Sequence, residues 1–317
     1  MPDPISRSDL QTRLEDPILG PRTLEEYFEL KEVGPFRFEY RLREDAPITD
    51  LPPEEVMGEV FGPIILGLAN RIARNARKRR YEERKRREPD AIRLVSEGDS
   101  WFQHPLLKDL VDHLCEGYNI LSLGAAGDVL ANMVAEAEYR SALSDEGAAV
   151  LLWSGGGNDM LGDHFGDYLT SPAPAPGSPP ADFVNEKFDA AIGKVISLYE
   201  SLASDLALTQ DGVTLVTHGY DRVIPVARKD GGKWVGPPME KAGIDLATDG
   251  RRVIEHILEV FDQRMRALAT THTNVVYVST HKIVPDDQWD DEIHPTSDGF
   301  GLVAARIRTT LGELLSG

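Results

Sequence analysis

A chain of 317 residues, 41% of them hydrophobic, has room for one large domain with a sizeable core plus an accessory segment. Lys and Arg number 34 against 53 Asp and Glu, and the formal charge of -19 argues against nucleic acid as a partner, because phosphate binding needs positive charge facing the ligand. The single cysteine, Cys115, excludes an internal disulfide, and with no apolar leader and no apolar run approaching ~18 residues, cytoplasmic residence is expected.

The sequence changes texture near Pro89, which predicts an accessory segment over 1–90 and a main domain over 91–317. In the accessory segment, Phe61, Ile64, Ile65, Leu68 and Ile72 recur at helical spacing behind a Pro-Pro pair that suits a helix start. Pro63 is expected to kink or restart that helix. Its end, from Arg71 to Arg87, is strongly basic and has two readings: contact with an anionic membrane or nucleic acid, or a solvated helix pairing with the protein's own acidic surface. Glu82, Glu83 and Glu88 interrupt the positive charge and Tyr81 is its one aromatic anchor, which favours the second reading.

From Ala91 onward, short apolar runs alternate with longer helical patterns. Strands are predicted in "AIRLVSEG", "YNILSLG", "AAVLLWSGG", "VTLVTHG" and "NVVYVST", and helices near 106–115, 128–143, 182–208, 251–271 and 297–315. Cys115 falls on the apolar face of the first of these helices. Such alternation makes an α/β domain, a three-layer αβα sandwich around a central parallel sheet of about five strands, preceded here by a mainly helical segment.

Parallel sheets of this kind bind ligands outside the C-terminal ends of their strands. Each unusual motif lies there: "GDSW" after the first strand, "GAAGD" after the second, "GGGND" after the third, "HGYD" after the fourth, and "DDEIHPTSDG" beyond the fifth. A serine hydroxyl needs a base to take its proton, and the base needs a third group to hold its tautomer. Asp291 and His294 are three residues apart, so on one turn the carboxylate reaches Nδ1 and leaves Nε2 free for Ser100; Asp290 lacks that spacing. Ser100 is read at the start of the helix after the first strand, where its backbone N–H can meet an oxyanion, with a further N–H from Gly127 and the amide of Asn158. Gly124 is a second possible donor in its loop. Taken singly, Ser100 reads as a helix cap and the glycines as turn residues; together on one sheet edge they read as a site.

In order and loop context, "GDS", the loop glycine, "GGND" and "DxxH" resemble the GDSL, or SGNH, hydrolase superfamily over roughly residues 91–317. The resemblance implies a flavodoxin-like sandwich with Ser100 as nucleophile, Gly127 and Asn158 completing the oxyanion hole, and Asp291 with His294 as the acid–base pair. It departs from the family where Trp101 replaces the leucine after the serine and where large insertions separate the blocks.

Other chemistries lack their motifs. G-x-S-x-G does not surround Ser100, no phosphate-binding glycine loop is complete, and "DEIH" lacks the second histidine of a zinc helix. Neither metal nor cofactor is expected. The expected activity is hydrolysis of a small-molecule, glycan or lipid ester through an acyl-enzyme. Its alternatives are acyl transfer by the same residues and a binding module acting through the basic helix. Trp101 and His218 are candidates for lining the pocket, His104 a weaker one, and the Pro-rich stretch over 163–181 is read as a surface loop that could serve as a lid.

Overall fold

The structure is a computed structural model and describes residues 4–316 other than 17–18, 35–36, 44, 51–53 and 105–106. The chain divides into two compact units, Met1–Arg79 and Arg80–Gly317, about ten residues earlier than the composition shift near Pro89.

The first unit holds α1 (Arg7–Glu15), α2 (Leu19–Tyr27), a hairpin of β1 (Phe28–Gly34) and β2 (Arg37–Leu42), and the first part of α3 (Glu54–Arg87). Ser6 caps α1 by accepting from the Asp9 N–H at 3.1 Å, and Leu10, Leu14, Leu24, Tyr27 and Leu68 build a small core. The segment is mainly helical, as expected, with the antiparallel hairpin in addition. The hairpin is written in the alternation of "FELKEVGPFRFEYRL", a period of two. Pro63 does not divide α3, which is continuous from Glu54 to Arg87; a proline removes its own backbone donor and crowds the carbonyl four residues back, and the helical bonds on both sides carry the helix through. The side chains of Phe61, Ile64 and Ile65 lie outside the described residues.

The second unit begins inside α3 because the basic end of that helix is fastened to it. The Tyr81 hydroxyl and Lys85 Nζ both reach Glu146 at 2.5 Å, and Arg84 donates to the carbonyls of Cys115 and Tyr118. Arg80 adds an exposed pair with Asp112 at 3.4 Å. These bonds occupy part of the basic run with the protein's own acceptors.

The five predicted strands form one parallel sheet: β3 (Arg93–Gly98), β4 (Asn119–Ser122), β5 (Val150–Ser154), β6 (Thr214–His218) and β7 (Val275–Val278), in the order β4-β3-β5-β6-β7. Every residue of β5 is buried, as befits a strand covered on both faces. The chain steps from β3 to β4 on one side and then crosses back to β5 on the other. This is the flavodoxin-like order, and the crevice falls at that reversal, beyond the end of β3.

Right-handed crossovers place α4 (Leu110–Leu114) and α11 (Ser297–Ser316) together on one face. On the other lie α5 (Leu130–Glu136), α6 (Glu138–Glu146), α8 (Glu186–Thr209) and α10 (Arg251–Thr271). Two short helices, α7 (Gly157–Leu161) and α9 (Gly236–Ala242), lie in the loops after β5 and β6. The helix expected over 128–143 is two, broken where Ala137 takes a left-handed φ of 51°. That expected over 106–115 shortens to α4, with Cys115 half-buried at its C-cap and its start at Leu106 outside the described residues. The 163–181 stretch is anchored rather than loose: Phe165 and Leu169 are buried, and the Ala173 and Gly177 N–H groups bond Ala242 and Asp249.

Candidate active site

Ser100 follows β3 in a turn, not at a helix start; Asp109 caps α4 by accepting from Val111 and Asp112. The turn is built on Asp99, which is 2% exposed. One oxygen of Asp99 accepts from the Trp101 N–H at 3.0 Å and the Ser154 hydroxyl at 2.9 Å, and the other accepts from the Tyr220 hydroxyl. Three donors satisfy a carboxylate that burial would otherwise penalise. Burial, together with the Asp99 charge, pushes the Tyr220 hydroxyl well above the ordinary tyrosine range, so it remains a donor. Tyr220 in turn packs so close beneath Gly157 that a Cβ there would come within 2.8 Å of its ring.

His294 arrives from the loop between β7 and α11. His294 Nδ1 lies 2.9 and 3.1 Å from the Asp291 oxygens, and its Nε2 lies 2.8 Å from Ser100 Oγ. An ionised carboxylate only accepts, so Nδ1 carries the proton and Nε2 presents its lone pair to the hydroxyl. Asp291 Oδ1 also accepts the backbone N–H groups of Ile293 and His294 at 2.8 Å. Burial opposes the charge on Asp291, but the histidine beside it and these hydrogen bonds hold its carboxyl well below the usual range. Burial likewise opposes charge on His294, yet the attraction of Asp291 and the hydrogen bond to it raise the imidazole above its ordinary value. Thr296 caps α11, accepting from the Gly299 N–H at 3.1 Å.

Gly127 lies in the loop after β4 and Asn158 in the first turn of α7 after β5, and β4 and β5 are the strands that flank β3. Gly127 has φ 81°, the conformation that favours glycine. The Asn158 amide donates to the carbonyl of Asp128 at 2.7 Å, which joins these two loops and leaves its second N–H unspent by that bond. The Ala125 N–H donates to Gly98 at 2.9 Å and so ties the Gly127 loop to the end of β3. Gly124 packs within that crossing: a Cβ on it would meet the Gly98 carbonyl at 3.1 Å.

Two expectations are corrected. Trp101 and His218 do not line a pocket; they are 3% and 1% exposed and stack on each other, ring centroids 5.7 Å apart, within a cluster that includes Tyr220. The large aromatic surface of Trp101 is worth more buried than wet. His218 donates from Nδ1 to the Gly219 carbonyl, and burial lowers its pKa so that the ring is neutral. His104, by contrast, lies edge-on to His294 with ring centroids 4.8 Å apart, and burial with the neighbouring histidine pushes its pKa down to about 3.

Asp99 and Glu292 are buried acceptors beside Ser100 and His294 that spacing arguments missed. Glu292, 3% exposed, lies between Asp291 and His294 in sequence and receives backbone N–H groups of the long segment after β6. Val226 and Gly236 donate to one oxygen at 2.9 and 2.7 Å, and Lys233 and Trp234 to the other at 2.6 and 2.5 Å. The signal was the acidic residue inside "DEIH"; its partners are about sixty residues away and invisible to local pattern.

Among the described residues no cluster of three or more His, Cys, Asp or Glu side chains is placed to hold a metal, and no helix is long and apolar enough to cross a membrane. No family model matches the chain, and no curated protein matches it. Solved structures similar to it include a phospholipase A1 from Streptomyces albidoflavus NA297, 17% identical over 69% of this chain and 99% of that one, TM-score 0.46. Others are a Clostridium thermocellum family 3 carbohydrate esterase, 13% identical over 71% and 99% of the two chains, TM-score 0.44, and an extracellular lipase from Streptomyces rimosus, 13% identical over 69% and 99%, TM-score 0.45.

Proposed function

We propose that the chain is a serine hydrolase that cleaves carboxylic esters through an acyl-enzyme. The observation that carries this reading is the unbroken hydrogen-bonded line Asp291–His294–Ser100, with 2.9 Å and 2.8 Å steps. His294 takes the Ser100 proton as Oγ attacks the ester carbonyl. Asp291 stays ionised and stabilises the imidazolium. The negative oxygen of the tetrahedral intermediate is met by the N–H groups of Ser100 and Gly127 and by the Asn158 amide, donors of a kind whose individual loss costs about 10²–10³ in kcat.

Collapse breaks the bond to the alcohol, which leaves with the proton held on His294. Water then gives a proton to the same nitrogen, attacks the acyl group, and a second collapse returns the proton to Ser100. The chain's own residues, the ester and water supply every proton and electron pair in this sequence.

The test is hydrolysis of nitrophenyl esters from acetyl to long-chain acyl by the wild type and by Ser100→Ala. Turnover by the wild type with a drop of about 10⁴–10⁶ in kcat for the variant is the expected result. Equal rates in both proteins would overturn the reading.

A further inference from the structure

A cleft of about 660 Å³ lies between the turn after α7, which contributes Asp163, and the segment 228–241. This is a usual volume for a small-molecule site. One wall is the indole of Trp234, 43% exposed. A lone exposed apolar side chain is ordinary, as Leu208 is at 86% on α8; Trp234 differs because it faces a concavity and its backbone is fixed. The N–H groups of Lys233, Trp234 and Gly236 are all bonded to Glu292. Glu292 is two residues before His294, at most about 7 Å of chain. The wall of the cleft is therefore tied to the turn that carries the base, and little ordering is left to be done on binding.

The side chains around the indole are both donors and acceptors: Arg228, Lys233 and Lys241 with Asp163 and Glu240, all exposed. An acyl chain laid here would strip water from these charges without replacing it. A phosphate would face two carboxylates on a chain of net charge -19. A sugar ring suits both features: its C–H face packs on an indole, and its hydroxyls donate to carboxylates and accept from cations. We infer that this cleft binds the glycosyl part of a sugar ester and holds it while the ester group lies at Ser100. This rests on the hydrolase reading for its catalytic meaning, although binding itself does not require the nucleophile.

The experiment has two arms. In the first, Ser100→Ala protein is titrated with unesterified gluco-, xylo-, manno- and N-acetylglucosamine trisaccharides while tryptophan fluorescence is followed. At least one should saturate with a Kd of about 1 mM or tighter. The signal should vanish in Ser100→Ala/Trp234→Ala, and binding should largely return, by calorimetry, in Ser100→Ala/Trp234→Phe. In the second arm, Trp234→Ala in the otherwise native chain should raise KM for an acetylated trisaccharide about tenfold more than it raises KM for 4-nitrophenyl acetate. No response to any saccharide, or saturation by a short-chain phospholipid or a nucleoside in their place, would overturn the proposal. Sugar binding without any esterase activity would sink the hydrolase reading alone; esterase activity without sugar binding would sink the cleft alone.

Discussion

The Trp101 indole N–H donates to the carbonyl of Ile293 at 3.1 Å, so the residue after Ser100 is bonded to the residue before His294. Ser100 and His294 are brought together across 194 positions of sequence, and the Trp101–Ile293 bond closes the two turns onto each other one residue away from that pair. Trp101→Phe keeps an aromatic ring among His218, Tyr220 and Phe300 but deletes the donor. The expected result is a loss of about 1 kcal/mol in denaturant unfolding, with kcat reduced and KM for a small ester little changed. An unchanged kcat would show that the bond does not position the pair.

On the proposed mechanism the acid limb of the pH–rate profile should report His294. The imidazole must be neutral to accept the Ser100 proton, and its pKa is raised from 6.5, so kcat/KM falls as pH drops through a value above 6.5. In Asp291→Asn the attraction and the hydrogen bond that raise it are lost while burial remains. The limb should move to lower pH and kcat should fall by about 10⁴. His104, pushed down to about 3, stays neutral and adds no second limb between about pH 5 and 9. Profiles of the wild type, Asp291→Asn and His104→Gln check both statements.

Glu292 is expected to act through backbone order. Glu292→Ala strands the N–H groups of Val226, Lys233, Trp234 and Gly236, and should cost about 3 kcal/mol or more in unfolding free energy. Glu292→Gln keeps one accepting oxygen and should fall between the wild type and Glu292→Ala. The same order should appear in amide exchange over residues 226–236, measured by mass spectrometry.

Ala137 offers a simpler test of backbone strain. It joins α5 to α6 in a left-handed conformation that costs an L side chain energy. Ala137→Gly should therefore raise stability by about 0.5 kcal/mol in thermal or denaturant unfolding, despite the added freedom of the unfolded chain.

The elements that build the sheet were legible because each strand is a short apolar run closed by turn residues, and burial on both faces leaves little else such runs can do. The contact between Asp291 and His294 was legible because the two are close enough in sequence to share one turn. What escaped depends on contacts between distant segments. A tryptophan beside Ser100 suggests a pocket wall until the fold places it over His218 and Tyr220. Asp99 and Glu292 take their donors from loops that only the folded chain brings near. The break at Ala137 carries no glycine to announce it, and Pro63 announces a break in α3 that does not occur.

Covalent labelling by a fluorophosphonate, mapped by peptide mass spectrometry, tests the central claim most directly. A nucleophile activated by His294 should be modified at Ser100 alone, rapidly in the wild type and far more slowly in His294→Ala and Asp291→Asn. If Ser100 stays unmodified, or is modified equally fast without His294, the hydrogen bond between them does not activate the serine and the account is wrong.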